Sequence, residues 1–124
     1  MTRLALLSTS DTDLLSALSS DAEYALGNPS RLDVGTELPR LLDGADLVIV
    51  RILGSVRSWQ NGIDAVLAHG APVVVLGGEQ LPDAELMSHS TVPVGIATEA
   101  HAYLAQGGPA NLAQLHAFLS DTVL

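Results

Sequence analysis

Residues 45–76 read ADLVIVRILGSVRSWQNGIDAVLAHGAPVVVL and carry the clearest structural pattern of the chain. The first part, Ala45–Leu53, is a nearly continuous apolar run, which is typical of a parallel strand covered on both faces. Residues 55–69 have the spacing of an amphipathic helix, and Gly70 is placed to end it. A second apolar run, Val73–Leu76, follows. Strand, helix and strand in this order form a βαβ unit, which predicts a parallel sheet.

The same alternation continues on both sides of this unit. Further strands are predicted at residues 3–8, 23–26 and, as a short edge strand, 92–96; further helices are predicted at 13–18, 36–42, 82–89, 98–106 and 109–119. This alternation predicts one α/β domain over residues 1–124, with a flavodoxin-like (Rossmann-like) three-layer architecture. Right-handed crossovers favour a parallel sheet of four to five strands in the order 2-1-3-4.

Composition excludes several classes of function. The chain has 124 residues, a formal net charge of −9, five arginines, and neither lysine nor cysteine. Without cysteine there are no disulfides or thiolate ligands, and without lysine there is no Schiff-base chemistry and no phosphate-loop lysine. The negative charge repels nucleic acid, and the apolar runs are too short to cross a membrane. We therefore expect neither a nucleic-acid nor a membrane partner, and a cytoplasmic location.

Ligands of open α/β sheets bind at the carboxyl ends of the strands, so the residues that follow each strand are candidates for a site. Loops after the first, third and fourth predicted strands are expected to share one rim there. The candidates to face a ligand or a partner are Ser8, Thr9, Ser10, Asp11, Arg51, Gly54, Ser55, Gly77, Gly78, Glu79 and Gln80.

Each group of candidates also has a purely structural interpretation. Residues 8–12 resemble a flavodoxin-type phosphate cradle, but they also fit a helix cap, which is favoured because Asp11 and Asp13 would repel a phosphate. Residues 77–79 fit either a ligand-facing loop or a turn that needs positive φ. Arg51, inside an apolar strand, predicts a buried ion pair with Glu79 or Asp11 in preference to an anion site.

No complete catalytic set is visible. The histidines at positions 69, 89, 101 and 116 lack the spacing of a metal pair on one helix face, and no nucleotide loop or nucleophile elbow is present. The residues alone therefore predict no catalytic residue, no metal site and no bound cofactor.

Longer motifs carry a more specific signal when they are taken in order along the chain. They are LLSTSDTDLL (6–15), NPSRL (28–32), ADLVIVRILGSVRSW (45–59), PVVVLGGEQLPDAELMSHSTVPVG (72–95) and EAHAYLAQGGPANLAQLHAFLSDTVL (99–124). Together they resemble the N-terminal part of the CobN-type cobaltochelatase large subunit, in the family that includes the magnesium chelatase H subunit. The resemblance covers essentially the whole chain.

The resemblance implies a function that the residues alone do not give. Large subunits of this family insert Co²⁺ into hydrogenobyrinic acid a,c-diamide during aerobic cobalamin (vitamin B12) biosynthesis. They do so with two smaller subunits, one of them an AAA+ ATPase, in a complex that uses ATP and Mg²⁺. Because the family's large subunits are much longer than this chain, the resemblance implies a non-catalytic fragment that contacts the remainder of the subunit, its partners or the macrocycle. The alternative is a self-standing flavodoxin-like module that binds FMN or another phosphate ligand, and a pure scaffold domain is a third reading.

Overall fold

The computed structural model describes residues 2–124, in which strands and helices alternate for most of the length. In chain order the elements are β1 (Leu4–Ser8), α1 (Asp11–Ser19), β2 (Tyr24–Gly27), α2 (Glu37–Leu42), β3 (Leu47–Ile52), a 3-10 helix (Val56–Trp59), α3 (Gln60–His69), β4 (Val73–Gly77), α4 (Ala84–Met87), α5 (Val94–Gln106) and α6 (Pro109–Thr122).

The four strands form one parallel sheet in the order β2-β1-β3-β4, which confirms the predicted topology. In the centre of the sheet, Leu6 of β1 lies between Leu26 of β2 and Ile49 of β3. Successive strand residues point to opposite faces, so each strand contributes to two apolar clusters. Helices α2 and α3 cover one face, and α1, α5 and α6 cover the other. The three-layer, flavodoxin-like prediction is therefore confirmed.

The predicted edge strand at residues 92–96 is wrong. Pro93 instead precedes the first turn of α5, which begins at Val94. The outer edge of β4 is occupied by two hydroxyl side chains: the Val75 amide donates to Ser90 Oγ and the Val73 amide to Thr91 Oγ1, each at 2.8 Å. The Thr91 amide also donates to the Val73 carbonyl at 2.8 Å. These bonds satisfy the strand edge, so the sheet ends at four strands.

The helix predicted for residues 55–69 is divided into the 3-10 helix and α3. The two meet at Trp59, whose indole packs into the apolar cluster beneath them. Gly62 makes this possible, because a Cβ at that position would lie 2.1 Å from the Trp59 ring. The predicted end of α3 is confirmed, with Gly70 in the left-handed region at φ 99°.

No helix within residues 2–124 is both long and apolar enough to span a membrane.

Candidate functional site at the carboxyl edge of the sheet

Three loops meet at the carboxyl edge of the sheet and form what we call the carboxyl rim: residues 8–11, 53–55 and 77–81. Backbone contacts tie them together. The Thr9 amide donates to the Arg51 carbonyl at 3.1 Å, and the Gly78 amide donates to the Ile52 carbonyl at 2.8 Å. The Leu53 amide donates to Thr9 Oγ1 at 3.1 Å. The structure thus brings the sequence candidates together at one edge, with Arg51 in the strand directly behind them.

Arg51 is the centre of a buried polar network. Its residue surface is only 5% exposed. Nη1 donates to both carboxylate oxygens of Asp13, at 2.9 and 3.0 Å. Nε donates to the Gly77 carbonyl at 3.1 Å, and longer contacts reach the carbonyls of Gly78 and Leu104. Five oxygen acceptors of this chain surround the guanidinium, and each of its three nitrogens contacts at least one of them.

The predicted partners of Arg51 are therefore wrong. Glu79 is exposed on the rim, and Asp11 points to the surface, whereas the partner is Asp13. The reason lies in the orientation of α1, whose buried residues are Asp13, Ser16 and Ala17. A spacing of three and four residues marks one helix face, but small and polar side chains occupy it.

Sequence reasoning considered Asp13 only as an acidic residue of the helix cap that would repel a phosphate, and did not place it on the buried face of α1. Two leucines of this helix, Leu15 and Leu18, point to solvent, with Leu15 64% exposed. The available signal was the Asp13, Ser16, Ala17 spacing, together with a buried arginine that needed a carboxylate. The predicted cap is confirmed, since Ser10 Oγ accepts from the Asp13 amide at 3.4 Å.

Asp11 forms a separate pair on the surface. Its Oδ1 lies 2.6 Å from Nη2 of Arg31 and accepts from Asn28 Nδ2 at 3.1 Å. Hydrogen bonding from Arg31 first, and then from Asn28, lowers the pKa of the Asp11 carboxyl below its ordinary value. The carboxylate is therefore held charged beside the N-terminus of α1, where a bound phosphate would meet it.

The hydroxyls of the first loop also have internal partners. Ser8 Oγ donates to Asp13 Oδ2 at 2.7 Å and accepts from the Ser10 amide at 3.1 Å. Ser10 Oγ caps α1, and Thr9 Oγ1 holds the Leu53 amide. A phosphate cradle needs donors aimed at the ligand. This loop fits the helix-cap interpretation better than the flavodoxin-type phosphate site.

The two glycines of the third loop are explained by close approach. A Cβ at Gly78 would lie 3.0 Å from the backbone N and Cα of Leu53, and one at Gly77 would lie 2.8 Å from Asp83 Cβ. Neither glycine has positive φ, so the proposed positive-φ turn is wrong; on this rim it is Gly54 that has φ 123°. What comes close to the glycine backbone is the chain itself.

Helix α5 fixes the outer part of the same loop. The Glu79 carbonyl lies 2.8 Å from Nε2 of the buried His101, which donates to it, and Gln80 Nε2 donates to the Ala105 carbonyl at 3.2 Å. The carbonyls of Gly77 and Gly78 are bound by Arg51. The role of His101 was missed, because the sequence search considered histidines only as paired metal ligands.

What remains open on the carboxyl rim is a contact surface rather than a set of reactive groups. Glu79 and Gln80 are exposed there beside two leucines, Leu53 and Leu81. Within the described part of the chain, no group of three or more histidine, aspartate or glutamate side chains could hold a metal ion. The assignment of the rim candidates to a ligand or a partner stays a prediction.

Fold and rim together define a class: a flavodoxin-like α/β domain whose carboxyl-edge polar groups bind one another. No protein-family model matches the chain. It is similar to the aerobic cobaltochelatase subunit CobN of Pseudomonas aeruginosa, with 27% identity over 106 residues that cover 80% of this chain and 8% of that protein.

Among solved structures, the chain is similar to the catalytic subunit of cobaltochelatase from Mycobacterium tuberculosis. Sequence identity is 56% and the TM-score is 0.95, over 98% of this chain and 10% of that one. The chain thus spans about a tenth of the length of the relatives it matches. In sequence and fold the chain is similar to a part of these cobaltochelatase subunits, which confirms the resemblance predicted from its motifs.

Proposed function

We propose that the chain is the N-terminal domain of a cobaltochelatase large subunit. That subunit inserts Co²⁺ into hydrogenobyrinic acid a,c-diamide, while partner subunits hydrolyse ATP. The observation that carries the proposal is the 56% identity and TM-score of 0.95, over nearly the whole chain, with a solved catalytic subunit of cobaltochelatase. Placement at the N-terminus rests on the order of the sequence motifs.

In this proposal the domain is structural and the chemistry takes place elsewhere in the assembly. Cobalt insertion needs a set of oxygen, nitrogen or sulfur ligands with defined geometry. In the described residues no such group of side chains is assembled. Arg51, Asp13 and Ser8, which carry the buried polar groups of the rim, are already bonded to one another.

The residues also do not fit ATP and Mg²⁺. A phosphate-binding loop uses backbone donors and a lysine, and this chain has no lysine and a net charge of −9. We therefore assign nucleotide binding to the two smaller subunits, one of which is the AAA+ ATPase. We place the whole complex in the cytoplasm. The domain's own partner is the remainder of the large subunit.

A reconstituted insertion assay tests this division of labour. The full-length large subunit and the isolated chain 1–124 are each mixed with both smaller subunits, ATP, Mg²⁺, Co²⁺ and hydrogenobyrinic acid a,c-diamide. We expect cobalt incorporation in the mixture that contains the full-length subunit and none in the mixture that contains the isolated chain. Cooperative thermal unfolding of the isolated chain would show that it is folded. Turnover by the isolated chain would place catalytic residues within residues 1–124 and contradict the structural role.

The same preparation tests the flavin alternative. The purified chain should be colourless, and added FMN should not raise its melting temperature, because the hydroxyls of the first loop are internally bonded. Retention of flavin fluorescence through gel filtration would favour the self-standing binding module instead.

A further inference from the structure

Two apolar hollows lie side by side along the outer edge of the sheet, next to β4. One, of about 440 Å³, is lined by side chains that include Leu67, Pro72 and Ile96. The other, of about 400 Å³, is lined by side chains that include Met87 and Val94. Val92 lines both hollows, so the two are neighbours on one surface. We call this surface the β4-side strip and define it by Met87, Val92, Val94, Ile96 and Val123.

The β4-side strip lacks charge on a strongly charged chain. Among residues 2–124, no charged side chain lines either hollow. The hollow at the opposite edge of the sheet, near β2, is lined by Arg31, Glu37 and Arg40. The strip also exposes a large apolar side chain, since Val94 is 72% exposed. Depletion of charge around exposed apolar side chains is the compositional mark of the buried core of a protein interface.

The edge of β4 limits how a partner can bind. An open strand edge can accept another strand, but here the Val73 and Val75 amides already donate to Thr91 and Ser90. A partner therefore cannot extend the sheet at these positions. It must fill the two hollows with side chains, which favours an apolar surface from a folded neighbour over an extended peptide.

We propose that the β4-side strip docks onto an apolar surface of the same large subunit. This inference rests on the proposed function, in which further polypeptide follows residue 124. Val123, just after α6, lines the larger hollow, so that polypeptide would leave the domain at the strip itself. A covalent link gives two neighbouring surfaces an effective concentration in the millimolar range, so a modest apolar contact is enough to hold them together. The matched solved chain is about ten times as long as this one and offers ample surface for it.

Cysteine labelling tests the docking, because the chain itself contains no cysteine. Val94→Cys places a thiol on the strip, and Leu15→Cys places one on α1. The two positions are matched, being apolar and 72% and 64% exposed. Each variant is made in the isolated chain and in the full-length subunit, and maleimide modification at the named residue is followed by peptide mass spectrometry. Unchanged melting temperatures in the isolated chain confirm that both variants fold.

We expect both thiols to react at similar rates in the isolated chain. In the full-length subunit, Val94→Cys should react at least about tenfold more slowly, whereas Leu15→Cys should keep its rate. Equal rates for Val94→Cys in the two settings would overturn the proposal. Slowing of both thiols would also overturn it, because the protection would then not be specific to the strip, and slowing of Leu15→Cys alone would place the docking face on α1.

Two further measurements separate the alternatives. If Val94→Cys is protected in the isolated chain at high concentration, and sedimentation shows a dimer, the strip binds a second copy and the proposal is wrong. The labelling pattern does not depend on cobalt insertion. If the full-length subunit protects Val94→Cys but does not insert cobalt, the proposed function is wrong and the docking stands. If the subunit inserts cobalt and Val94→Cys reacts at the same rate as in the isolated chain, the docking is wrong and the proposed function stands.

Discussion

Replacement of Arg51 by alanine should be among the most damaging single changes in this chain. The substitution leaves the Asp13 carboxylate buried with one remaining donor, Ser8 Oγ, and removes the donors of the Gly77 and Gly78 carbonyls. Loss of one partner of a buried ion pair costs about 3–5 kcal/mol. A domain of 124 residues has a total stability of roughly 6–19 kcal/mol, so this single change would consume a large share of it.

Urea unfolding followed by the fluorescence of Trp59, the single tryptophan, measures the effect. For an m-value of about 1–3 kcal/mol/M, the midpoint of Arg51→Ala should fall by at least about 1 M. Arg57→Ala is the matched control, because Arg57 is an exposed arginine six residues further along the chain and should change stability by less than about 0.5 kcal/mol.

A double-mutant cycle separates the ion pair from the other contacts of Arg51. Asp13→Leu alone leaves the guanidinium buried without its carboxylate, and Arg51→Met alone leaves the carboxylate without its guanidinium, whereas the double variant Arg51→Met with Asp13→Leu removes both charges at once. Because a buried pair replaced by apolar side chains is often neutral, the double variant should be more stable than the sum of the single losses predicts. If Arg51→Ala and Arg57→Ala shift the midpoint equally, or the cycle shows no coupling, the buried pair is not what holds the rim.

Burial raises the pKa of the Tyr24 phenol, so the folded state keeps its proton after the unfolded state begins to lose it near pH 10. Stability should therefore fall as the pH rises above about 10, and Tyr24→Phe should reduce that fall in urea midpoints measured across this range; an unchanged slope would contradict the assignment. Gly78→Ala should cost about 1–3 kcal/mol, because the new Cβ meets the Leu53 backbone at 3.0 Å, and a neutral result in the same assay would show that the loop can move away. Ser90→Ala should cost about 1–3 kcal/mol by leaving the buried Val75 amide without its acceptor, and faster hydrogen exchange at that amide would identify the cause.

The strand order could be predicted because its signals are local and repeat along the chain. Apolar runs such as Val48–Ile52 read as buried strands wherever they occur, and helices between them leave few connections open. Residues 92–96 were misread because a short apolar segment that contains a proline fits an edge strand as well as it fits the start of a helix. Only the three-dimensional position of Ser90 and Thr91, against the edge of β4, shows that the place of a fifth strand is already taken.

The candidate site was predicted in position but not in its contacts. The loops could be assigned to one rim because the carboxyl ends of parallel strands coincide. The partner of Arg51 could not, because Asp11, Asp13 and Glu79 all lie within reach of that rim in the sequence pattern. The choice depends on the rotation of α1 about its axis, which is set by packing, and the exposure of Leu15 runs against the usual rule that leucines face inward.

Helix α5 reaches from the β4-side strip to the carboxyl rim. The helix begins at Val94 on the strip and runs to Gln106, a length of about 20 Å at 1.5 Å per residue. Along it, His101 binds the Glu79 carbonyl and the Leu104 carbonyl accepts from Arg51. The same helix therefore lines the β4-side strip at its N-terminal end and binds the carboxyl rim through its C-terminal half, so both surfaces depend on how α5 packs against the sheet.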